Sequence, residues 1–115
     1  MRAKTVYKIV DTPSWETAER EGVYRGAPID HVDGFIHLSA RHQVMETARR
    51  HFGEQEGLLL VAIRVDALGD KLKWEPSRGG DLFPHLYGDL PLEAVAWTKK
   101  LPLSPAGHIF PELDA

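Results

Sequence analysis

The stretch Leu58-Leu59-Leu60-Val61-Ala62-Ile63 constrains this chain most. It is apolar at every position, so both faces of an extended segment would be apolar. That is the signature of a central strand covered on each side. The strand is expected over Gly57 to Val65, and the rest of the chain has to supply its two covers and its neighbours.

The flanking segments fit that demand. Thr5 to Val10 is a β-branched, mostly apolar run and reads as a first strand. Lys8 is its odd member, because Val6 and Val10 share its face. Two readings stay open: an edge strand whose lysine stem covers apolar surface, or a lysine directed into a cleft. Thr12 as cap and Pro13 in the first turn predict a helix that buries Trp15 and Ala18 and ends near Gly22. Tyr24-Arg25-Gly26 reads as a short strand and Ala27-Pro28-Ile29-Asp30 as loop or turn. Gly34 to Ala40 reads as a strand with Ile36 and Leu38 on a core face and Phe35, His37 and Ser39 on the other. It is expected to run directly into a helix from Arg41 to Phe52, with Val44, Met45, Ala48 and Phe52 as its apolar stripe and Gly53 as its stop. A helix N-terminus there would suit a phosphate or carboxylate.

Further on, Leu72-Lys73-Trp74 predicts a strand and Glu75 to Asp81 a glycine-bearing polar loop. Phe83 to Pro91 reads as a structured segment against the core, Glu93 to Trp97 as the last strand, and Leu101 to Ala115 as a Pro-rich tail that wraps the surface or frays. The fold expected is α+β, with a split, mostly antiparallel sheet and two main helices, in one domain spanning residues 1–115.

Composition narrows the chemistry. A net charge of −3 and the lack of any dense Lys/Arg run give no nucleic-acid footprint, and Arg49-Arg50-His51 reads as a solvated helix face. The absence of cysteine excludes disulfides, thiolate catalysis and sulfur-ligated zinc. No apolar run approaches a membrane span or a signal-peptide core, so a cytoplasmic protein is expected. His31, Asp33 and His37 have equal parity, but no histidine pair has the spacing of a helical metal site, so no metal is expected. Ser39 lacks the Gly-x-Ser-x-Gly turn of a nucleophile and reads as a helix cap. Glu75 and Asp81 on one loop follow no spacing rule for paired carboxylates.

The group that carries chemistry is dispersed: Lys8, His37, Glu75, Arg78, His85 and Tyr87. Its members come from strand ends and from Gly- or Pro-marked segments, the places where site residues sit on a rigid frame. Cations, histidines, a tyrosine ring and a helix start together suit an anionic ligand bearing an aromatic ring. For His85 and Tyr87 a packing role with satisfied polar ends stays open beside it.

Three stretches together resemble one family. They are Val6-Tyr7-Lys8-Ile9, Asp33-Gly34-Phe35-Ile36-His37-Leu38-Ser39 with the following helix, and Phe83-Pro84-His85-Leu86-Tyr87-Gly88 with Leu90-Pro91. The chain looks like the bacterial and plant proteins grouped as domain-of-unknown-function family 952. The resemblance implies the ADP-ribosyltransferase-like superfamily, whose members bind NAD in a cleft between two small antiparallel sheets. It implies Lys8 at the first-strand position that meets the ligand, Ser39 near the usual hydroxyl, and His85 to Pro91 at the third motif. The sequence departs from that pattern in lacking a glutamate within His85-Leu86-Tyr87. The expectation is a binder of NAD or a related ADP-ribose nucleotide, with ADP-ribosyl- or phosphotransferase activity open. The alternative is a non-catalytic ligand-sensing or interaction module. His37 and His85 are the candidate catalytic residues, and Lys8, Ser39, Glu75, Arg78 and Tyr87 the candidate ligand-binding ones. If the protein is an enzyme, His37 and Lys8 anchor ribose or phosphate, Tyr87 stacks, and His85 moves a proton.

Overall fold

The computed structural model describes residues 3–114. In chain order the elements are β1 (Thr5–Asp11), α1 (Thr12–Glu21), β2 (Val23–Tyr24), α2 (Pro28–Asp33), β3 (Ile36–His37), α3 (Val44–His51) and β4 (Leu58–Arg64). They continue with β5 (Leu72–Pro76), β6 (Leu82–Leu86), β7 (Leu90–Pro91), β8 (Val95–Leu101), β9 (Leu103–Ser104) and β10 (Gly107–His108). The architecture is α+β with antiparallel sheets.

The apolar run forms β4, which lies between β1 and β8 as a central strand should. Val61 and Ile63 enter one core with Val6 and Val10 of β1, covered by Trp15 and Ala18 of α1 and by Tyr24. Leu58, Leu60 and Ala62 enter a second core with Tyr7 and Ile9, covered by Val44 and Ala48 of α3. Both faces of β4 are thus covered from Leu58 to Ile63, the stretch without a polar residue, and the exposed Arg64 ends the strand.

A second sheet has the order β3-β6-β5. Its Ile36 and Leu86 join the first core, with Leu72 packed against them. Among the described residues the two sheets meet at a single bridge, where Tyr7 N donates to Ser39 O at 2.8 Å and Ser39 N to Tyr7 O at 2.9 Å. That bridge corrects two expectations. Ser39 is held in extended backbone and does not cap a helix, and its Oγ lies 3.1 Å from Thr47 Oγ1 instead. The helix expected from Arg41 begins only at Val44. Gln43 explains the delay: its Oε1 accepts from Ala40 N, while its amide donates to Asp81 Oδ2 and Leu82 O. The intervening turn is therefore pinned to the start of β6.

Other differences have local causes. Asp11 rather than Thr12 caps α1, accepting from Ser14 N at 3.0 Å, while Trp15, Ala18 and the left-handed Gly22 behave as expected. Ala27 to Asp30, read as loop or turn, instead opens α2, which runs on to Asp33, so the described residues hold three α-helices rather than two. Met45 is exposed rather than part of the buried stripe. Glu75 belongs to β5 and not to the loop, and the last strand starts later, after a 3-10 turn at 92–94, and runs to Leu101. β1 is the edge strand that one reading of Lys8 expected, but the Lys8 ammonium does not reach water: the residue is buried and its Nζ is held by Asp30 and the His37 carbonyl. No helix among the described residues is long and apolar enough to cross a membrane.

The Pro-rich end forms the β9–β10 hairpin and then a clasp. Tyr7 Oη, wholly buried, donates to Asp114 O at 2.8 Å and accepts from Asp114 N at 2.6 Å, while Phe110 and Leu113 pack on the second core. Two hydrogen bonds of about 1 kcal/mol each hold this end down. Tyr7→Phe should lower unfolding free energy by about 1–2 kcal/mol in a denaturant titration and speed proteolysis beyond Pro111. Unchanged proteolysis would show that the clasp does not secure the tail.

Candidate functional site

Strand alternation creates the candidate site. In β3, in β6 and in the residues that extend them, Ile36, Leu38 and Leu86 go to the core, so Phe35, His37, His85 and Tyr87 go to the opposite face. His37 and His85 are register partners, and on the other side β5 brings Glu75 opposite Phe83. The Phe35 ring stacks on His85 with centroids 4.0 Å apart and planes at 23°, and lies 4.6 Å from His37 and 5.3 Å from Tyr87. Glu75 Oε1 accepts from Tyr87 Oη at 2.8 Å and lies 2.8 Å from His85 Nδ1. His37, His85, Tyr87 and Glu75, spread over three strand segments, therefore form one cluster.

Beneath it lies a residue that sequence reasoning missed. Asp30, on α2, is 2% exposed and accepts from four donors. Lys8 Nζ reaches its two oxygens at 3.0 and 3.3 Å, Ala27 N donates at 2.7 Å, His37 N at 3.1 Å, and His37 Nδ1 lies at 2.6 Å. Lys8 Nζ also donates to His37 O at 2.9 Å. Burial alone would raise the Asp30 carboxyl, but the Lys8 ammonium and the donors from Ala27 and His37 outweigh it and hold it below the ordinary carboxylate range. Burial lowers the Lys8 ammonium, and Asp30 opposes that. The second ring nitrogen of His37 lies 2.9 Å from Asp33 Oδ2. Both nitrogens face acceptor-only groups, so both bonds form together only when each nitrogen carries a hydrogen. Gly26 makes room for Asp30: its φ is 110°, and an added Cβ would come within 3.0 Å of Asp30 Cβ.

A second group adjoins the first along β6. Arg78 donates to Thr47 Oγ1 at 3.1 Å, which in turn meets Ser39 Oγ, and the guanidinium lies 4.9 Å from the centroid of the Phe83 ring. Phe83 and His85 alternate on the same face, one strand repeat of about 7 Å apart. Of the residues singled out in the sequence, Glu75, His37, His85 and Tyr87 are thus brought together. Ser39 and Arg78 are their neighbours, and Lys8 reaches the face only through Asp30 and the His37 carbonyl. The signal for Asp30 was present in Pro28 at the first helical position, an acid two residues on that bonds back to the amide before it, and Gly34 as the stop. A helix this short carries no periodicity to announce it.

Two grooves lie elsewhere. One of about 760 Å³ separates α3 from the β9–β10 hairpin, and one of about 1170 Å³ is lined by Arg41, His42, Met45, Trp74 and Leu113 among others. Neither includes the histidine cluster. Among the described residues no three His, Asp or Glu side chains are grouped to hold a metal ion.

The buried pair sets a pH dependence. A carboxyl whose folded value is depressed contributes stability above its ordinary range and loses it as pH falls through the folded value. Unfolding free energy should therefore drop on acidification below the usual aspartate range. Asp30→Asn should cost about 3–5 kcal/mol at neutral pH, by leaving Lys8 buried without its partner, and should flatten that acid slope. An unchanged slope in denaturant titrations would remove Asp30 from the acid response.

Comparison with known proteins fits this geometry into one family. The family model described as "Protein of unknown function (DUF952)" matches residues 9–98, a span from β1 into β8 that holds the whole cluster. A crystal structure of CC0527 from Caulobacter crescentus, a structural-genomics target, is 43% identical, covers 90% of this chain and 91% of that one, and superposes with a TM-score of 0.87. A crystal structure of its double mutant gives 42% identity over 90% and 91% of the two chains with a TM-score of 0.87, and its solution NMR structure gives 43% over 90% of each with 0.81. No curated protein matches. The chain belongs to the DUF952 family.

Proposed function

We propose that the Phe35–His37–His85–Tyr87 face binds a nucleotide of the NAD or ADP-ribose class, as in an ADP-ribosyltransferase-like protein. What carries the reading is the meeting of aromatic rings and histidines from separate strands on one side of a rigid sheet. The exposed Tyr87 and half-buried Phe35 offer a planar ring a stacking edge. One repeat away stands Arg78, which makes no carboxylate pair among the described residues and so is open to a ligand phosphate, beside the hydroxyls of Ser39 and Thr47. Glu75 supplies a carboxylate beside His85 and Tyr87, the segment that lacks a glutamate of its own. Lys8 serves the ligand by holding Asp30 and His37 in place.

Transferase chemistry and a sensing module share this site. The second reading is favoured by His37, whose ring nitrogens both bond to carboxylates of the protein itself. A release assay separates the two: conversion of NAD to free nicotinamide marks an enzyme, and binding without release marks a sensor.

The test of binding is a thermal-shift comparison with NAD, ADP-ribose and adenosine. At about 100 times its dissociation constant a true ligand stabilises the fold by roughly 2.7 kcal/mol, several degrees in a domain of this size. Arg78→Ala should weaken the response to the phosphate-bearing compounds, and Tyr87→Ala the response to all three. Absence of any shift with these compounds would overturn the proposal.

A further inference from the structure

The two histidines of the face differ in one respect. His37 has both ring nitrogens bonded to carboxylates, whereas Nε2 of His85 has no hydrogen-bond partner among the described residues. We infer that Glu75 fixes His85 as the tautomer with hydrogen on Nδ1, which makes Nε2 the proton-accepting atom of this face and Glu75 its positioning residue.

The geometry leaves little choice. An ionised carboxylate only accepts, so a nitrogen 2.8 Å from Glu75 Oε1 has to donate. The carboxyl is kept ionised: the hydrogen bonds from His85 and then Tyr87 hold it below the ordinary glutamate range, against the smaller opposing effect of burial. Tyr87 keeps its hydrogen, because the bond to Glu75 raises its phenol. Two donors converging on one oxygen fix that oxygen in place. The His85 ring is fixed as well, by Phe35 stacked on its face and by His37 edge-on at 5.7 Å. Turning the ring over about its Cβ–Cγ bond would put Cδ2 in place of Nδ1 and break the carboxylate bond, so Nδ1 stays on Glu75.

The consequence for chemistry is a single proton path. A ligand hydroxyl that reaches Nε2 gives up its proton there, and its oxygen keeps the electron pair. The imidazolium formed retains its Nδ1 hydrogen and is paired through it with Glu75. The reverse transfer returns the proton to an oxygen that carries a lone pair. Only the identity of that hydroxyl rests on the nucleotide reading, and the tautomer does not.

The test is a long-range proton–nitrogen NMR spectrum of the uniformly nitrogen-15-labelled protein, which distinguishes the two neutral imidazole tautomers. His85 should show the pattern of hydrogen on Nδ1 alone. Tyr87→Phe should preserve that pattern, and Glu75→Ala should lose it. If Glu75→Ala does not fold, Glu75→Gln should replace the single pattern by a mixture, since an amide can accept or donate. A wild-type His85 with hydrogen on Nε2, or a pattern untouched by loss of the Glu75 carboxylate, overturns the inference. A correct tautomer in a protein that binds no nucleotide would defeat the ligand reading alone. Nucleotide binding with the opposite tautomer would defeat this inference alone.

Discussion

One buried carboxylate organises the site. Asp30 receives the ammonium of β1, the amide that opens α2, and both the backbone and the ring of β3's histidine. A charge this deeply buried is tolerated only when it is paired and hydrogen-bonded, and here the donors come from three separate parts of the frame: β1, the start of α2 and β3. The position of His37 is thereby tied to that of Lys8 across the seam between the two sheets. Removing any one partner strands the others, which is why such a group specifies geometry more than it adds net stability.

The division of labour between the two faces follows from alternation. The first core takes Ile36, Leu38 and Leu86, and the strands must then present Phe35, His37, His85 and Tyr87 on the far side. What keeps that far side from being a loose polar surface is mutual clamping. Phe35 covers His85 so closely that the histidine is 4% exposed, and Glu75 ties His85 to Tyr87. Rings held in this way would lose little freedom on meeting a flat ligand of the class proposed, which would favour binding at modest contact area.

The sequence disclosed what depends on periodicity and hid what depends on long-range partners. The uninterrupted apolar run of β4 predicted its central place, and the parity of Ile36 and Leu38 against His37 predicted which side chains would enter the core and which would lie opposite it. Trp15, Ala18 and Gly22 read correctly because their helix is long enough to show its spacing. Lys8 did not, since an apolar strand with one lysine looks the same whether its ammonium meets water or a carboxylate 22 residues later. Ser39 was read both as part of the strand and as a helix cap, since a serine before a helical stripe resembles a cap, and the bridge to Tyr7 keeps only the extended reading. Asp30 was missed because six helical residues have no period to detect.

Coupling between Lys8 and Asp30 is the most direct measure of whether this network holds the site. A double-mutant cycle with Lys8→Met, Asp30→Leu and the pair reads it from unfolding free energies. Each single variant should lose about 3–5 kcal/mol, since each leaves an uncompensated buried group. The double variant should lose less than their sum by at least about 1 kcal/mol, because it removes both charges together. Losses that add to within about 0.5 kcal/mol would contradict the network, and would mean that the two groups stabilise the fold independently.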